Sequence, residues 1–159
     1  MARIWLVRHA EAGRRQEWTA ERPDSERPLS PAGERQARRL SGSLRPHGVE
    51  AARRILSSPY LRCRQTVEPI GGELGLRLED AAELIEGAPL AATLRLMEGA
   101  PQSVMCTHGD VVGNVIERLD NLGLLGPGDK TWEKGSTWVL HVAAGEIARA
   151  EYVPPPPVD

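Results

Sequence analysis

Two short apolar runs in this chain each stop at a histidine. "IWLVRHAEAG" (residues 4–13) climbs through Ile4, Trp5, Leu6 and Val7 into Arg8-His9, and "SVMCTHGD" (103–110) ends in Thr107-His108-Gly109. Such continuously apolar runs lack the alternation of a half-exposed strand. They suit strands buried on both faces, as in parallel sheets covered by helices on either side. Parallel strands are joined by crossovers, and ligands bind in the crevice beyond the carboxyl ends of the strands. Both histidines are expected at that end.

The rest of the chain alternates as this constraint requires. Residues 13–29, "GRRQEWTAERPDSERPL", are polar, broken by Pro23 and Pro28, and read as a long loop. Ser30 and Pro31 form a cap-then-proline start for a helix with Ala37, Leu40 and Leu44 on one face, closed by His47-Gly48. Ile55-Leu56 reads as a second buried strand. Ser58-Pro59 repeats the helix start near Tyr60, and Pro69 should kink or end that helix. "GLRLE" is a weak strand candidate. "APLAATLRLME" carries Leu90, Leu94 and Met97 at helical spacing, and "VVGNVIERLDNLGLL" is an amphipathic helix after the third strand. "STWVLHVAAGEIARAEYV" reads as two strands around Ala144-Gly145. The expected fold is α/β, a three-layer α/β/α sandwich with a mostly parallel central sheet. One domain over 1–153 is expected, with a mobile proline-rich tail at 154–159.

The 159 residues are 40% hydrophobic and 26% charged, an ordinary globular balance. The net charge of −2 hides an asymmetry: residues 1–64 hold 14 Arg against 7 acids, and residues 65–159 hold 6 basic residues against 15 acids. No basic run exceeds a pair, which argues against nucleic acid as the partner. No apolar run approaches the ~20 residues that span a bilayer, so no membrane partner is expected. Cys63 and Cys106 are separate thiols outside any CxxC, which points to a reducing, cytoplasmic setting and away from zinc ribbons.

Arg62 enters in the first turns of the helix after the second strand, so three segments deliver Arg8, His9, Arg62 and His108 to one sheet edge. Guanidinium groups match phosphate oxygens in bidentate geometry, and small neighbours (Ala10, Gly109) leave room for a tetrahedral anion. A histidine beside an arginine can attack phosphorus while the cation neutralises the equatorial oxygens. Competing phosphatase chemistries lack their signatures. Cys106 has no Arg in the next ten residues, Cys63 is followed directly by Arg64, and neither DxDx[TV] nor GxxxxGK[ST] occurs. His108-Gly109-Asp110 is the one hint of a metal site; no metal or cofactor is expected.

These segments resemble the histidine phosphatase superfamily, with its phosphoglycerate mutase-like fold. "LVRHAEA" is similar to the family's Arg-His-Gly signature, with Ala10 in place of the usual Gly. "SSPYLRCRQT" is similar to its second motif, "MCTHGD" to its third, and "ERPLSPAGERQA" to the helix lead-in of the compact branch. The resemblance implies His9 as nucleophile, phosphorylated in the intermediate, and Arg8, Arg62 and His108 as the phosphate pocket. It implies an acid for the leaving group from "EDAAELIEGAP", where Glu83 is favoured over Glu86. The short chain resembles the SixA-type protein phosphohistidine phosphatases, and its motifs also resemble the phosphatase domains fused behind Nudix hydrolases. The expected substrate is therefore a phosphohistidine protein or a phosphorylated small molecule such as a nucleotide. Mutase activity and a non-catalytic phosphate-binding module are the remaining alternatives. Arg14, Arg15, Trp18 and Arg22 on the long loop are candidates for choosing substrate.

Overall fold

A computed structural model of the chain describes residues 2–18 and 21–158. Its centre is a six-stranded sheet ordered β3-β2-β4-β1-β5-β6. The strands are β1 (Ala2–Arg8), β2 (Arg54–Ser57), β3 (Leu78–Asp80), β4 (Ser103–Thr107), β5 (Thr137–Ala143) and β6 (Glu146–Val153). The first four in spatial order are parallel, and β5 and β6 add an antiparallel edge beside β1. Helices α1 (Arg15–Trp18), α2 (Pro31–Leu44), α3 (Leu61–Leu74), α4 (Leu90–Gly99) and α5 (Gly109–Asn121) complete the chain.

β1 shows why the sheet is covered on both faces. Ile4 and Leu6 enter one core with Met97, Val112, Ile116 and Leu119, the layer of α4 and α5. Trp5 and Val7 enter the other with Leu40, Leu44, Val67 and Ile70, the layer of α2 and α3. All four are fully buried, which accounts for the unbroken apolar run.

α2 starts as its sequence requires. Ser30 Oγ accepts from Gly33 N–H, and Pro31 opens the first turn. Gly33 has no side chain because a Cβ there would sit 1.8 Å from the carbonyl oxygen of Glu11. That close approach seats the residues after β1 on the start of α2, where Gln36 Oε1 also accepts from Glu11 N–H.

Three segments add detail to these expectations. Pro69, expected to kink or end its helix, does not end α3, which runs on to Leu74 with Val67, Ile70 and Gly71 buried on either side of the proline. Residues 13–29 carry the short α1 and a 3₁₀ turn at Asp24–Glu26. Residues 154–158, expected as a mobile tail, lie along α2: Arg35 Nε donates to Val158 O and an Arg39 guanidinium N–H to Pro157 O, and Pro156 is buried.

Candidate functional site

β1 and β4 are neighbours in parallel register, with Arg8 opposite Thr107. Their next residues are therefore brought together at the carboxyl edge, and the His9 and His108 rings stand edge to face with centroids 5.6 Å apart. α3 supplies Arg62 from the adjacent strand end. The structure gathers all four of these residues around one cleft.

His9 is held by its main chain and by one ring nitrogen. Its N–H donates to Thr107 O, and Nδ1 lies 2.8 Å from Ala10 O. A carbonyl only accepts, so Nδ1 carries the proton and Nε2 keeps its lone pair. Burial, with a smaller push from the nearby Arg62, His108 and Arg8, lowers the His9 pKa to about 3; the bond to Ala10 opposes this. The ring is neutral at physiological pH. Ala10 N–H is in turn tied to Thr66 Oγ1, which donates to Arg62 O, so α3 braces the turn after His9.

Arg8 reaches past Gly109, where a Cβ would meet three guanidine atoms of Arg8 at 2.8–2.9 Å. One terminal N–H of Arg8 donates to Trp132 O at 2.8 Å. Its Nε is buried without a partner, as is the Nε of Arg62. Arg62 is fully buried and donates to Asp24 O (2.9 Å), Asp24 Oδ2 (3.0 Å) and, at 3.4 Å, Glu86 Oε1. Asp24 is held below the usual carboxylate range; burial pushes the other way, but the Arg27 hydrogen bond and the charges of Arg62, Arg27 and Arg15 prevail.

His108 is anchored from the opposite ring nitrogen. Its Nε2 lies 2.9 Å from Ser58 Oγ and 3.5 Å from Cys63 Sγ. Ser58 Oγ also accepts from Tyr60 N–H (3.3 Å). The other ring nitrogen, Nδ1, lies 3.5 Å from an Arg62 guanidinium nitrogen and 3.9 Å from Glu86 Oε1. Two guanidinium groups and two imidazoles, one of them with a free Nε2 lone pair, can together hold and attack a tetrahedral anion.

Glu83 is not in this constellation. Leu84 is fully buried and its carbonyl accepts from Thr107 Oγ1, which turns Glu83 to a separate cavity beside Arg54 and Arg95. Glu86 lines the cleft, as do Glu11, Asp110 and Glu117, and it is paired to Arg15 at 2.9 Å and lies 3.4 Å from Arg62. Asp24, Ser58, Thr66 and Trp132 were not singled out as site residues from the sequence. Asp24 and Trp132 join the site through long-range contacts that leave no local signal, and Ser58 reads in the sequence only as a cap. Asp110, the hint of a metal site, accepts from Gly87 N–H; among the described residues no three His, Cys, Asp or Glu side chains are grouped to hold a metal ion.

The cleft encloses about 950 Å³ and is lined beyond the histidines by Arg14, Arg15, Asn114, Trp132 and Lys134. Of the loop candidates, Arg14 and Arg15 reach it. Trp18 and Arg22 do not line it; they stack on each other with the guanidinium 3.6 Å from the indole centroid. Among the described residues no helix is long and apolar enough to cross a membrane.

A family model described as histidine phosphatase superfamily (branch 1) matches residues 4–89. A curated relative from Mycolicibacterium smegmatis, named 8-oxo-(d)GTP phosphatase, is 36% identical over 160 residues, covering 96% of this chain and 48% of its own length. The chain thus spans about half of that relative. Among solved structures, the protein histidine phosphatase SixA complexed with tungstate superposes with a TM-score of 0.74 at 21% identity, covering 98% of this chain and 97% of its own. A mycobacterial glucosyl-3-phosphoglycerate phosphatase with inorganic phosphate gives 0.65 at 18% identity, covering 96% and 95%. At these identities the two structures establish the shared fold.

Proposed function

The chain belongs to the histidine phosphatase superfamily, branch 1, and from that premise we propose that it releases phosphate from its substrate through a phosphoryl group carried on His9. The observation that supports this most directly is the tether of His9 Nδ1 to Ala10 O, which leaves a neutral Nε2 lone pair beside buried guanidinium groups. Nε2 attacks phosphorus, the bond from phosphorus to the leaving atom breaks, and that atom takes a proton from Glu86. Water then attacks the phosphohistidine, the P–N bond breaks, and Glu86 takes back a proton as phosphate leaves. Arg8, Arg62 and His108 Nδ1 stabilise the equatorial oxygens, whose charge spreads in the transition state. The scheme draws its charge stabilisation from these side chains, so activity is expected to survive a chelator.

Two substrate classes fit. A phosphohistidine on another protein would present its phosphoryl group to the cleft mouth, and the fold shared with SixA is compatible with that. A nucleotide is the second, and the 36% identity to a protein named for such a substrate favours it. The two buried, unbonded thiols suit a reducing, cytoplasmic compartment.

The test is phosphate release by the wild type and His9→Ala, with chelator present, from a phosphohistidine protein, nucleotides, sugar phosphates and an aryl phosphate. Release that vanishes in His9→Ala is expected, and the best substrate chooses between the classes. Binding of phosphate with no release from any of them would instead identify a phosphate-binding module.

A further inference from the structure

The chemistry at His9 occupies only the floor of the cleft. A phosphoryl group needs the space of a few waters, roughly 30 Å³ each, and the cleft holds about 950 Å³. That is the size of sites that enclose a ligand of several rings. The extra room also has a direction. α5 leaves the phosphate end at Gly109 and continues along the cleft through Gly113, Asn114 and Glu117. At helical rise that wall extends about 12 Å from Gly109 to Glu117.

Trp132 is seated midway along it. Gly113 makes the seat, since a Cβ there would come within 2.9 Å of Trp132 Cζ2. The main-chain oxygen of the same residue accepts from Arg8, which fixes the indole relative to the phosphate end. Asn114, one residue beyond the seat, brings an amide that both donates and accepts. Arg14 and Lys134 add cations to the same cleft, and with Arg8, Arg15 and Arg27 they outnumber its four acids, Glu11, Glu86, Asp110 and Glu117. An aromatic wall, an amide and cations placed outward from an oxyanion floor match a ligand that continues from phosphate to a planar heterocycle.

We infer that the outer cleft between Trp132, Asn114, Arg14 and Lys134 binds the remainder of a nucleoside diphosphate, with the base against Trp132 and the inner phosphate met by the cations. The inference rests on the phosphatase reading above and names the substrate class of that site. The transferred group is the terminal phosphoryl. Its bond to the bridging oxygen breaks as the P–N bond to His9 forms, and the nucleoside monophosphate departs as a stabilised phosphate anion. Such a leaving group has little need of a proton, so Glu86→Gln should slow this substrate far less than an alkyl phosphate.

The experiment measures kcat and KM for ADP, GDP, inorganic pyrophosphate and phosphoramidate in the wild type, Trp132→Ala, Trp132→Phe and Asn114→Trp. Loss of one base–aromatic stack costs about tenfold. Nucleoside diphosphates are expected to exceed pyrophosphate in kcat/KM by about tenfold or more. Trp132→Ala should shrink that ratio by about tenfold, through KM, and Trp132→Phe should restore most of it. Asn114→Trp, which fills the cleft away from Arg8, should also shrink it. Pyrophosphate turned over as well as the nucleotides, or variants that lower all substrates alike, would overturn the inference and leave the phosphatase reading standing. Release from none of the four probes would overturn the inference alone if sugar or aryl phosphates are still hydrolysed, and would remove both readings if they are not.

Discussion

β1 and β4 lie side by side, run the same way and hand the chain to a histidine at the same level of the sheet, yet the two rings are gripped from opposite sides. His9 is tied at Nδ1 to a carbonyl, which fixes the proton there and frees Nε2. His108 is tied at Nε2 to a hydroxyl, which turns Nδ1 toward Arg62 and Glu86 in the cleft. One ring presents Nε2 to the cleft and the other Nδ1, although both come from the same residue type at equivalent strand ends. The division follows from the partner of the distal nitrogen, Ala10 O in one case and Ser58 Oγ in the other. A histidine's role in such a pair is therefore set by residues that never touch the substrate.

The largest effect should separate the two rings. His9→Ala is expected to lower kcat by about 10⁴-fold or more and to abolish the phosphorylated enzyme. His108→Ala removes one donor, about 10²-fold, and should still trap a phosphoenzyme. Mass spectrometry of acid-labile phosphate reads both, and equal loss of phosphoenzyme in the two variants would break the comparison.

Next comes the β4 end alone. Gly109→Ala drives a methyl group into the Arg8 guanidinium, and misplacing that cation by about 1 Å should cost up to ~10²-fold in kcat/KM. Gly42→Ala, on α2 outside the cleft and meeting nothing within 4 Å, is the matched control and should leave the rate near wild type.

The charge state of His9 sharpens the β1 side. Its ring resonances should show no protonation from pH 7 down to about 4.5, since burial holds its pKa near 3. The unfolded chain protonates this ring near 6.5 and the folded chain does not. Stability from this group is therefore complete above pH 6.5 and falls as pH drops toward 3, by at most about 1.4 kcal/mol per pH unit. Denaturant titrations of the wild type and His9→Ala should differ in that slope.

Ser58→Ala should have the smallest effect, about three- to tenfold in kcat/KM, because Cys63 Sγ remains 3.5 Å from Nε2. Its signature is a changed pH profile as His108 loses its hydroxyl anchor.

Much of this site was legible in the chain because its parts are local. The apolar runs placed β1 and β4, their ends placed His9 and His108, and the helix start after Ser58-Pro59 placed Arg62. The candidate acid was not legible. Glu83 and Glu86 share one irregular segment, and only the burial of Leu84 decides which of them faces the cleft. Pro69 does not end α3 for the same reason: packing along the buried face of the helix carries it on to Leu74. The roles of Asp24 and Trp132 depend on contacts 38 and 124 residues away, beyond any periodicity.

The clasp of Asp24 on Arg62 bears on how the molecule breathes. Arg62 is fully buried, and its outer nitrogens are satisfied from the loop by both the main chain and the carboxylate of Asp24. Releasing residues 21–27 from the body would leave a buried cation short of its acceptors, a state costly enough to be rare. The loop and the phosphate floor therefore open as one cooperative unit, with amides of the Asp24 turn exchanging in step with those at the start of α3. What looks in the sequence like a disposable surface connection is energetically an extension of the core.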